Sequence, residues 1–168
     1  MTQSLRILTS LAAGAILAIP AASLAQRAPP ARGPAAALAL EAAQTAVETC
    51  AANGYKVAAS VIDSGGTLKV LFAGDGVSPM GVKSSTMKAL ASNKYKAPTS
   101  EIMTKAKSDT ALSSELAADK TMMAMPGALP LIVGPDLIGS IGVGGAPAGD
   151  KDEACAKAGL AKVQSRLQ

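Results

Sequence analysis

The 168-residue chain contains no histidine and no tryptophan, and its only aromatic side chains are Tyr55, Phe72 and Tyr95. Without histidine there is no Ser-His-Asp or Cys-His nucleophile system, no His-based zinc or non-haem iron site and no His-ligated haem. Three rings are too few for a base-stacking platform. The excess of basic over acidic residues, 16 against 12, is therefore not read as nucleic-acid binding. Cysteine is scarce, with Cys50 and Cys155 alone, and no apolar run beyond residue 25 is long enough to span a bilayer.

The start of the chain has the layout of a secretory signal. Arg6 supplies the positive start, Ile7 to Ala22 form a short apolar run, and Ser23-Leu24-Ala25 offers small residues at the cleavage positions. The apolar run is interrupted by Gly14 and Pro20 and lacks a charged stop-transfer flank, so a leader over residues 1–25 is preferred to a permanent span. Cleavage near Ala25 predicts a periplasmic or secreted protein with no stable membrane span after processing. An oxidising compartment makes Cys50 and Cys155 a candidate disulfide; two small buried thiols on helix faces are the alternative.

Residues 26–37, rich in proline and alanine with Arg27, Arg32 and Gly33, read as a flexible N-terminal segment, and residues 38–168 as one domain. From Leu38 to Asn53, Leu40, Ala43, Val47 and Cys50 recur at helical spacing, and Asn53-Gly54 is a terminator. Lys56 to Asp63 and Thr67 to Ala73 read as a hairpin around Ser64-Gly65-Gly66. Pro98 divides the stretch from Pro79 to Lys120 into shorter helices, with Thr99 and Ser108 or Asp109 as caps. Thr121 to Met125, Leu129 to Val133 and Leu137 to Val143 read as three more strands, five in all. A closing helix is capped by Asp150 or Asp152, with Ala156, Leu160, Val163 and Leu167 on one face and Cys155 near its start. If the first and last helices pack antiparallel, Cys50 and Cys155 fall at one level.

Nine segments in this order resemble the GlcG/HbpS family, the small domain also found at the C-terminus of PduO-type proteins. They are LALEAA (38–43), NGYKV (53–57), VIDSGGTL (61–68), DG (75–76), MKAL (87–90), APTS (97–100), MPGALP (125–130), LIGSIGVGGA (137–146) and DEACA (152–156). The resemblance implies an α+β, profilin-like five-stranded antiparallel sheet flanked by helices, and homo-oligomers. Some family members bind haem, one works beside a sensor protein in redox signalling, and others sit in glycolate or propanediol pathways. The chain departs from the family pattern at Ala39, Ala73, Ala128 and Gly144, each swap removing polarity or, at Ala128, a glycine.

Candidate cofactor-binding residues are Lys88, within the family's Lys-Ala motif, Tyr95 as a haem ligand or wall, and Thr99. Pro126, Gly127 and Gly144 join them, in glycine-containing turns that allow close backbone approach. Six lysines between residues 83 and 107 offer charge for an anionic ligand such as a haem propionate; a solvated helical face is the alternative use. Met122 and Met123, as neighbours in a strand, would point to opposite faces and pack in the core rather than clamp a metal, and no metal site is expected. The glycine run from Leu137 lacks the lysine of a phosphate loop. The leading expectation is an exported, non-catalytic ligand-binding protein whose cofactor is haem or a related tetrapyrrole. The alternative is an enzyme or pathway accessory for a small oxygenated metabolite, with Lys88 in its site.

Overall fold

The computed structural model describes residues 30–168, so the expected leader, residues 1–25, lies outside the described residues. Helix α1 (Ala36–Ala52) is dominated by alanine and ends just before Gly54, which takes φ +78°. Its buried side is Ala39, Ala42, Ala43, Ala46, Val47 and Cys50. Leu40, expected on that side from its spacing, is instead 46% exposed. The small side chains serve close packing against α5 (Gly149–Val163): a Cβ on Gly159 would stand 2.3 Å from the Ala42 carbonyl oxygen. Leucine is too large for such a seam.

Strands β1 (Ala58–Asp63) and β2 (Leu68–Ala73) form the expected hairpin. Asp63 shapes its turn, with Oδ1 accepting hydrogen bonds from the amides of Gly65 and Thr67. Part of the N-terminal segment docks on this turn: Arg32 exchanges hydrogen bonds with Ser64 and pairs with Asp136. Helix α2 (Pro79–Tyr95) begins with Pro79 and is capped by Ser78, whose Oγ accepts from the Gly81 amide; it ends at Lys96, φ 53°. After Pro98 come α3 (Thr99–Ala106) and α4 (Thr110–Ala118), the latter capped by Asp109. Thr99, expected as a cap, is the first residue within α3, and Pro98 precedes it without a side-chain cap.

Strands β3 (Ala128–Val133) and β4 (Asp136–Gly144) complete one antiparallel sheet in the order β2-β1-β4-β3. The described residues thus hold four strands, not five. Thr121 to Met125, expected as a strand, is irregular, because its backbone bonds elsewhere. The Met123 amide donates to the Met87 carbonyl on α2, and the Thr121 amide donates to the Asp119 carboxylate.

The sheet lies between helices. Ala59, Val61, Ile141 and Val143 share one core with α1 and α5, and the Cys50–Cys155 disulfide joins those two helices with a Cα separation of 5.6 Å. On the other face α2 approaches the sheet through small and hydroxylic residues. Ser60 bonds Ser85 and Thr86, and Ser140 donates to the Ala89 carbonyl. A Cβ on Gly142 would stand 2.2 Å from the Ser85 carbonyl oxygen. This contact is too close for any other residue at 142 without a shift of the helix.

Candidate functional site

Lys88 lies on the sheet-facing side of α2, and its ammonium, instead of reaching solvent, meets Asp152 in the first turn of α5 at 2.6 Å. Both side chains are buried. The second Asp152 oxygen accepts from the Ala146 amide at 2.9 Å, so both carboxylate oxygens are engaged. Burial raises the Asp152 pKa above its ordinary 3.8, opposed by Lys88 and by the Ala146 amide. The helix cap expected from Asp150 or Asp152 is absent: Ala148 occupies the cap position, and the Asp152 carboxylate reaches back to Ala146 and across to Lys88.

Glu153, the next residue, ties down two further elements. It accepts from the amide and hydroxyl of Ser100 on α3 and from the Gly127 amide ahead of β3. Thr99 is fully buried, its hydroxyl receiving the Ala128 amide at 3.0 Å. The acids of DEACA therefore bind α2, α3 and the β3 approach to α5. Read along the chain, they look like a helix-dipole pair, and nothing local tells which partner each will find.

Lys88 and Asp152 line a cavity of about 340 Å3 between the start of α2, the loop before β3 and the turn before α5. Gly127 (φ +138°) adjoins it: a Cβ there would meet Lys88 Nζ at 2.7 Å and Asp152 Cβ at 2.9 Å. Pro126 packs on Gly149, a wall residue of the cavity. Gly144 lies where any side chain would strike Ser84 Oγ, 2.2 Å from its would-be Cβ. At position 144, one of the departures from the family pattern, the place of a side chain is thus taken by Ser84. Lys88, Pro126, Gly127 and Gly144 come together here, with Thr99 behind them in the Ala128 contact.

Tyr95 is elsewhere. It sits at the end of α2 on the wall of a larger cleft, about 910 Å3, between α3 and α4, with Ile102, Leu112, Lys105 and Glu115 also on its walls. Its hydroxyl is shielded from solvent and has no hydrogen-bond partner among the described residues. Burial first raises its pKa above the ordinary 10, and second the Glu115 carboxylate, which stands close enough to act on the hydroxyl while outside hydrogen-bond geometry. Lys94 lies 5.4 Å from the ring centroid and pairs with Glu115 at 2.7 Å. Helix α4 contributes no buried residue. Of the six lysines between 83 and 107, only Lys88 is buried; the others form the solvated face. Among the described residues no three His, Cys, Asp or Glu side chains cluster as a metal site, and no helix is long and apolar enough to cross a membrane.

The fold is shared with solved structures. HbpS matches at 30% identity with a TM-score of 0.74, over 82% of this chain and 94% of that one. A double mutant of Streptomyces reticuli HbpS matches at 31% identity and 0.72, over 90% and 98%. A complex of PduOC with heme shares the fold at 20% identity and 0.72, over 81% and 97%. No curated protein matches the chain. The model of the haem degrading protein HbpS-like family matches residues 35–161, which spans every element from α1 to most of α5. With that match and the shared fold, the chain belongs to the HbpS-like family.

Proposed function

We propose that this protein is an exported, non-catalytic binding protein for haem or a related tetrapyrrole, seated in the cleft between α3 and α4. The observation that carries the reading is the Tyr95 hydroxyl, a shielded polar atom without a partner on the wall of a 910 Å3 cleft. A buried hydroxyl left unpaired is costly, and a ligand atom that engages it removes the cost. The cleft is of the size that ligand sites have. In a chain without histidine, tyrosine is one of the side chains known to ligate haem iron.

The residues present fit the group. Ile102 and Leu112 supply apolar walls, and Lys105 supplies one positive charge for a propionate on a wall that also carries Glu101, Asp109 and Glu115. Since α4 buries no side chain, a small displacement of it opens Tyr95 at little cost. When bound, haem would supply an iron centre whose oxidation state can change; the chain's own part would be to hold it, with the Tyr95 oxygen as the residue that would face the iron. The family match supports the haem-related reading, as does the heme carried by PduOC, whose fold this chain shares. Homo-oligomers, a sensor-protein partner and a role in redox sensing or haem handling belong to the same reading.

A second reading has its own observation, the buried Lys88–Asp152 pair on the wall of the smaller cavity. There, with Pro126, Gly127 and Gly144 shaping the backbone, a small oxygenated metabolite would be held or turned over. Haemin titration followed at the Soret band separates the two. Saturation at a fixed ratio, weakened by Tyr95→Phe and by Lys105→Ala, supports the tetrapyrrole reading. A featureless drift without saturation overturns it. Metabolite consumption abolished by Lys88→Ala, in a variant whose circular dichroism is unchanged, establishes the second.

A further inference from the structure

We propose that Met80, Met123 and Met125 form a soft-metal site that takes a monovalent copper or silver ion at the mouth of the smaller cavity. Met123 and Met125, on the irregular segment before β3, line the same cavity as Met80 in the first turn of α2. The segment is fastened on both sides. The Met123 amide donates to the Met87 carbonyl, while beyond Met125 the Gly127 carbonyl accepts from Val143 and its amide donates to Glu153.

Met80 and Met125 are 61% and 53% exposed. Methionine is ordinarily a core residue, so two thioethers held in water beside a third, around one small cavity, are placed where packing gains little. The side-chain oxygens on the cavity wall are already engaged. Ser78 Oγ accepts from Gly81, Ser84 Oγ donates to the Gly81 carbonyl, and both Asp152 oxygens are taken by Lys88 and Ala146. Among the lining side chains, the donors that remain are neutral sulfur. Thioethers without a free carboxylate or imidazole select Cu(I) or Ag(I) and leave zinc, magnesium and calcium without the ligands they need. The ammonium on the cavity wall is neutralised by its own carboxylate, so one further positive charge meets no unpaired cation there.

The chain is well suited to the test, because it has no histidine and both cysteines are in the disulfide; its soft donors are seven methionines. The experiment titrates the full chain, carrying 13C-methyl methionine, with silver nitrate in chloride-free buffer, following methyl resonances and native mass. The expected result is one bound silver ion, with the methyl signals of Met80, Met123 and Met125 moving together and saturating while Met103 stays in place. Zinc moves none of them. Met80→Leu with Met125→Leu, both at exposed positions, abolishes saturable binding with an unchanged circular dichroism spectrum, and Met103→Leu retains it. The proposal is overturned by shifts that do not saturate, by saturable binding that moves other methionines instead, or by a double variant that binds silver as the parent does.

Discussion

Lys88 Nζ and Asp152 Oδ2 lie 2.6 Å apart with side chains only 5% and 4% exposed, joining the helix on one face of the sheet to the helix on the other. A buried pair of this kind gains little over an apolar one, but breaking it strands a charge. Lys88→Met is expected to cost about 3–5 kcal/mol. Adding Asp152→Leu to Lys88→Met recovers most of that loss. Urea denaturation of the two variants checks it; equal losses would show that the pair is not coupled.

The same carboxyl carries a pH dependence. Its folded pKa is raised above the ordinary 3.8, chiefly by burial. A raised pKa means that the folded protein holds the proton more tightly than the unfolded chain does. The Asp152 contribution is therefore fully present below its unfolded pKa and is lost as pH rises through the folded value. Carbon-detected NMR of the Asp152 side chain is expected to give a midpoint above 3.8. A midpoint below that value would mean that Lys88 and the Ala146 amide outweigh burial.

Tyr95 offers a second titration, in a chain with only Tyr55 as background. Burial and then Glu115 raise its pKa, so the tyrosinate absorbance of one phenol should appear above pH 10. Glu115→Gln removes the smaller cause and is expected to lower the midpoint without restoring the ordinary value. A Tyr95 midpoint no higher than pH 10, read by difference against Tyr95→Phe, would show its hydroxyl to be open to water.

The Cys50–Cys155 bond closes a loop of 105 residues between two helices that pack on each other. By chain-entropy reckoning its loss costs about 4–5 kcal/mol. Cys50→Ala with Cys155→Ala is expected to melt at least ~10 °C lower, using the usual conversion for a domain of this size. Because both cysteines are buried, a thiol reductant should act on the native protein only as fast as the helices separate, which time-resolved alkylation would read.

Gly127 is held at φ +138° with Lys88, Val143 and Asp152 all within 3 Å of its would-be Cβ. Gly127→Ala is expected to lose about 1–3 kcal/mol from backbone strain alone, and more from displacement of the ion pair. Thermal melts of Gly127→Ala and of Gly127→Ala combined with Lys88→Met check it. If the strain acts through the ion pair, the two losses are not additive.

The turns and ends of this fold were legible because they depend on neighbours in sequence. Asn53-Gly54, Ser64-Gly65-Gly66, Pro98 and Asp109 act over a few residues, and each does so where expected. The faces were harder. The spacing placed Leu40 inside α1, whereas the alanine side is buried, since contact with α5 at Gly159 admits only small groups. Thr121 to Met125 was expected to be a strand, yet its backbone bonds α2 at Met87 rather than joining an edge of the sheet.

The candidate site followed the same division. Lys88, Gly127 and Gly144 stood out as individual residues, but not their meeting with Asp152, nor the distance of Tyr95 from them in a different cleft. The family motifs, the helix and turn punctuation and the absence of any histidine ligand are properties of composition and near neighbours, and could be read along the chain. Which acid meets Lys88, which cleft receives Tyr95 and which methionines share a cavity depended on how the helices pack on the sheet. Those contacts join residues tens of positions apart, and their energy comes from burial that exists only after the helices have closed on the sheet.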